Sequence, residues 1–174
     1  GRSRARTIHL AFTTLTVAAV LARPGTAVAQ SIRPPATGPG SINGVVIALE
    51  NLASALLRLG RAEEATERFA ESLRYAHEIG DAEGVVWGLE GLGAAAAVLG
   101  HPRRAARLLG AADAAQPARR QPFEARRHEQ VVQQLRDELG EAAFSAAWAQ
   151  GQAMRPEDAS AFALAEPADT ARRA

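Results

Sequence analysis

From Val45 onward, apolar residues return every three or four positions in four successive stretches, the spacing of amphipathic helices. The first stripe is Val45, Leu49, Leu52, Leu56 and Leu59, stopped by Gly60, a residue suited to the positive φ of a helix C-terminus. The second is Ala62, Ala65, Phe69, Leu73 and Ala76, ending at Gly80. Asp81 is placed to cap a third helix with the stripe Val85, Leu89, Leu92, Ala96 and Leu99, closed by Gly100. Pro102 fits the first turn of a fourth helix, which buries Ala105, Leu108, Leu109 and Ala112 and ends before Pro117. Further on, residues 123–139 form a polar helix with a narrow stripe of His128, Val131, Val132, Leu135 and Leu139. Gly140 breaks it. Glu141–Gln150 follows with Phe144, Ala147 and Trp148 on one face, and Pro156 opens a short helix through Ala159, Phe162 and Ala163.

The first four helices form two copies of one unit. Shifted by forty residues, Gly44–Ala70 lies on Gly84–Gly110 without a gap, with ten identities in twenty-seven positions. A period of this length marks stacked supersecondary units. The expected fold is all-α: antiparallel helix hairpins in a repeat solenoid over residues 41–118, closed by C-terminal capping helices over 119–166. Residues 167–174 lack periodicity and are expected to be a disordered tail.

Leu49, Leu52-Ala53, Leu56, Gly60 and Ala65…Phe69, repeated as Leu89, Leu92-Gly93, Ala96, Gly100 and Ala105…Leu109 with Pro117 after them, resemble the tetratricopeptide signature. The forty-residue period exceeds that family's usual thirty-four, His77 stands where the first copy would close on Pro, and Ala96 replaces a bulky residue. A narrower resemblance covers residues 41–166. The run from Gly88 to Ala112, then Leu139 to Ala153 and Pro156-Glu157-Asp158-Ala159, is similar to the C-terminal repeat region of large bacterial ATP-dependent transcriptional regulators. That resemblance implies a non-catalytic sensor or regulatory array that binds a protein or peptide. It also implies that this chain is the sensor end alone, without the nucleotide-binding and DNA-binding domains of such regulators.

Composition narrows the chemistry. The chain has 47% hydrophobic residues but only 5% aromatic ones, much of the rest being Ala, which favours closely packed helices. There is no Cys, which excludes disulfides and thiolate chemistry, and every one of the 20 basic residues is Arg. The lack of Lys excludes a P-loop or Schiff-base lysine. Charge is segregated under a net +1: residues 1–40 hold five Arg and no acid, residues 41–100 four Arg and nine acids, and residues 101–174 eleven Arg and ten acids.

The first forty residues stand apart. Arg2, Arg4 and Arg6, the apolar run Ile8–Ala22, and the small residues up to Ala29 have the layout of a secretory signal, although Arg23 interrupts it. The run is too short for a membrane span. Residues 31–40 hold three Pro and two Gly and read as a linker. The expected compartment is the cytoplasm, or the periplasm or exterior if residues 1–29 act as a signal, in which case the chain would be an exported helical-repeat scaffold.

The four His residues are isolated, and no metal site or cofactor is expected. Glu50 and Glu90 are the only acids at equivalent repeat positions, without a nucleophile or base to make them catalytic, so no enzymatic activity is expected. Ile47 and Trp87 occupy another equivalent pair on the helix flank. Together Ile47, Glu50, Ser54, Arg58, Trp87 and Glu90 form a candidate partner-binding groove, with Trp87 as its anchor. The alternative is that the glutamates are structural or solvated and Trp87 packs on a neighbouring helix. Arg103, Arg104, Arg107, Arg119, Arg120, Arg126 and Arg127 suggest nucleic-acid binding, but only Phe123 accompanies them, and a solvated face is favoured. That face could also drive head-to-tail self-association through the acidic 61–83 face.

Overall fold

A computed structural model describes residues 42–115 and 122–165, all within one compact unit. The signal-like segment and linker of 1–40, Pro117, Arg119, Arg120 and the 167–174 tail lie outside the described residues. The described chain is all-helical: α1 (Ile42–Arg58), α2 (Ala62–Glu78), α3 (Ala82–Val98), α4 (Pro102–Ala115), α5 (Pro122–Leu139), α6 (Glu141–Gln152) and α7 (Pro156–Leu164). None of these helices is long and apolar enough to cross a membrane.

The first three connectors have one construction. After α1, Gly60 takes φ 77° and donates its N–H to Leu57 O at 3.1 Å, while the Arg61 N–H reaches Leu56 O at 3.0 Å. This paired closure satisfies the last carbonyls of the helix and reverses the chain in three residues. It recurs at Gly80 and Gly100, so α1 and α3 start and stop forty residues apart to the residue. The Asp81 carboxylate accepts the Gly84 N–H at 3.0 Å, capping α3. At α2 and α7 an arginine in the capping position pairs with an acid three residues on, Arg61 with Glu64 and Arg155 with Asp158.

Short connectors make α1 to α4 consecutive antiparallel neighbours. The stripe expected for α2 is buried at every position. That of α1 needs correction: its buried residues are Val46, Ile47, Glu50, Ala53 and Leu56, whereas Val45, Leu52 and Leu59 are exposed. The helix is apolar on most sides, so periodicity alone left two faces equally eligible for burial.

Small residues set the spacing elsewhere. A Cβ on Gly88 or Gly91 of α3 would meet Leu73 or the Phe69 ring of α2, the latter at 2.3 Å. A Cβ on Gly151 of α6 would lie 2.0 Å from Arg107 O of α4, and one on Gly110 of α4 would lie 2.5 Å from Trp148 O of α6. The α4 and α6 backbones therefore touch, a crossing possible only with glycine on both helices. The core falls into two clusters. One joins Phe69, Leu73, Leu89, Leu92 and Leu108 to Ala159 and Ala163 of α7; the other joins Ala105 and Leu109 of α4 to Leu135, Phe144 and Ala147. The last helix does not simply extend the stack. It turns back to touch α2, α3 and α4.

Candidate functional site

The six residues of the expected groove separate. Ile47 is 2% and Glu50 5% exposed, so neither offers a surface to a partner, which corrects the expectation of a groove through both. Glu50 lies in the α1–α2 interface, where the Ser72 hydroxyl donates to Val46 O at 3.1 Å and lies 3.5 Å from Glu50 Oε1. Ser54 and Trp87 are partly exposed and Arg58 is exposed. Glu90, the repeat equivalent of Glu50, reaches across to α5, with its Oε1 3.9 Å from His128 Nδ1. The His128 ring meets Trp148 edge-on at 6.0 Å, Trp148 stacks on Phe144 at 5.4 Å, and the Arg136 guanidinium lies 4.9 Å from the centre of the Phe144 ring. Glu90 thus faces a polar and aromatic seam between helices.

The arginine cluster also divides. Arg104 Nη2 donates to the carbonyls of Phe162, Ala163 and Ala165 at 2.9, 2.8 and 2.7 Å, closing the C-terminus of α7. Its guanidinium stacks on Phe162 at 4.8 Å, with that of Arg107 at 5.6 Å. Partial burial lowers the Arg104 pKa from its ordinary value. Arg103 and Arg126 remain exposed. Nothing in local periodicity signals Arg104 as a helix cap, because its acceptors lie 58–61 residues away.

A different concavity is present. An open groove of about 810 Å³ runs beside α2 and ends at Ala163–Ala165 of α7. Leu92 and Ala96 are buried in its floor, with Ala70, Leu99 and Leu164 partly exposed around them. Its α2 wall carries Glu67, Arg68, Glu71, Arg74, Tyr75 and Glu78, and His101 and Arg104 lie across it. Arg68 pairs with Glu71 at 2.6 Å and Glu67 at 3.3 Å, which leaves a mixed-charge rim over an apolar floor. None of the six expected groove residues lines it. Sequence reasoning missed it because its wall is the polar face of α2, which in isolation reads as solvated. The described residues hold no group of three His, Asp or Glu able to bind a metal. No protein-family model, curated protein or solved structure matches the chain.

Proposed function

We propose that the chain is a non-catalytic interaction module with a tetratricopeptide-like arrangement of helix hairpins, and that the groove along α2 receives a peptide segment of a partner protein. The observation that carries this reading is an apolar floor under a mixed-charge wall, a pattern that anchors small apolar side chains and orients the segment by its charges. The repeated unit, with equal helix limits in α1 and α3, supports the repeat assignment. The likeness of Gly88–Ala112 to the repeat region of bacterial ATP-dependent regulators supports a sensor or regulatory role. Nucleic-acid binding has less support, because Arg104 and Arg107 are turned onto α7. An exported scaffold would rest on residues 1–29 alone.

The test is selection of peptides from a random displayed library against the full chain, followed by titration of the selected peptides. Tyr75→Ala and Arg74→Glu on the exposed wall should each weaken binding about tenfold or more, the usual scale for an anchor residue. If no peptide is selected, or if the selected peptides bind both variants as well as the parent, the groove is not the recognition surface.

A further inference from the structure

The repeat supplies an internal comparison for the open side of α1. Val45, Leu52 and Leu59 are 41, 48 and 69% exposed and Leu49 is partly so, whereas Leu56 beside them is buried. Their equivalents on α3, Val85, Leu92, Leu99 and Leu89, are each more covered, and Ala96 is buried as Leu56 is. The cover on α3 comes from α2 on one side and from α7 laid across it, with Ala159 and Ala163 of α7 in one cluster with Leu89 and Leu92. Among the described residues no helix takes the place of α7 on α1. How α7 is held is visible in its side chains. Ala159 and Ala163, four apart, are buried, and Phe162 lies against the Arg104 and Arg107 guanidinia of α4 at 4.8 and 5.6 Å. Forty residues earlier, α2 carries Glu64 and Glu67 at those two positions. Both are exposed, in surface pairs with Arg61 and Arg68 that a competing cation can replace. The first repeat therefore leaves the apolar half of an α7-like seat open and reverses the sign of its charged half.

We propose that the open leucines of α1 and the Glu64–Glu67 edge of α2 receive a short amphipathic helix of a partner protein, laid as α7 lies on α3 and α4. The comparison sets its chemistry. Small residues four apart let the incoming backbone approach the leucines, as Ala159 and Ala163 do on the second repeat. Where α7 has Phe162, an aromatic ring against two cations, the partner carries Arg or Lys against two carboxylates. That position falls in the last turn of the helix, where a cation also complements the helix dipole. The seat rests on the repeat and not on the groove along α2. It uses none of that groove's floor, and Leu52 and Glu64 lie outside the groove lining.

The probes are two synthetic peptides spanning Arg155–Ala165, the parent sequence and Phe162→Arg, titrated into the full chain by fluorescence anisotropy. Each is held helical by a staple between Glu157 and Ala161, both exposed on α7. The Phe162→Arg peptide is expected to bind at least about tenfold tighter than the parent, the scale of an anchor residue. Leu52→Glu in the chain should abolish that binding with an unchanged far-UV circular dichroism spectrum. Glu64→Arg should remove the preference between the peptides, and Arg74→Glu on the groove wall should leave it unaltered. The proposal is overturned if neither peptide binds, if the parent binds as well as Phe162→Arg, or if binding or preference survives Leu52→Glu or Glu64→Arg respectively. Binding kept in Leu52→Glu but lost in Arg74→Glu also overturns it and places the peptide in the groove along α2, so the two readings fail separately.

Discussion

Helices α1 and α3 are the same length, are closed by the same glycine motif and share most of their apolar positions, yet they are buried differently. Leu92 is 4% exposed; its equivalent Leu52 is 48% exposed. Glu90 meets a histidine on α5, while Glu50 is enclosed beside Ser72. Gly91 lies against the Phe69 ring, and Asn51 stands in its place on α1. The repeat therefore encodes the helix and its ends, but a residue's burial is set by how many neighbours its helix has. α3 lies between α2 and α4 with α7 across it; α1 has α2 and a lesser contact with α3.

Paired substitutions at equivalent positions separate these roles. Leu92→Glu places an unpaired carboxylate in the core and should cost about 4 kcal/mol or more, enough to unfold a marginally stable domain. Leu52→Glu should leave monomer stability within about 0.5 kcal/mol of the parent. Urea denaturation reads both, and equal losses would mean that α1 is covered after all. Next in size, Gly91→Ala must push the Phe69 ring aside and should cost about 1–3 kcal/mol. Asn51→Ala, with better helix propensity and no ring against it, should be neutral or stabilising by a few tenths, about the intrinsic difference. Comparable to the Gly91 effect, Arg104→Ala removes the donor at the end of α7 and should cost about 1–2 kcal/mol. Hydrogen exchange at the α7 amides should rise in that variant while α2 amides stay protected. Unaltered α7 exchange would show that packing of Ala159 and Ala163 holds the helix without Arg104.

The apolar stripe of α2 was legible from sequence because its opposite face is charged, leaving Ala62, Ala65, Phe69, Leu73 and Ala76 one way to turn; only the buried Ser72 was not signalled. The reading of α1 failed in part because Ile42–Arg58 has apolar residues almost all round: of the stripe expected from spacing, Leu56 is buried while Val45, Leu52 and Leu59 are left open. The groove was hidden for a related reason. Its wall is the outer face of α2, its floor is the end of α3, and its far side is α7, so no stretch of sequence carries its pattern. The paired approach of Gly110 and Gly151 was equally invisible, although an Ala- and Gly-rich composition indicated that helices would pack closely.

By itself the sequence determined the helices and their limits. Stripe spacing, the Asp81 cap and the positive φ at Gly60, Gly80, Gly100 and Gly140 depend on interactions within a few residues. Tertiary structure decided which face of α1 turned inward, that Glu50 and Glu90 have different surroundings, that Arg104 closes α7, and that a groove lies beside α2. Each of these depends on groups more than twenty residues apart in the chain. Burial and close approach are properties of neighbours, and the neighbours are set only when the helices pack.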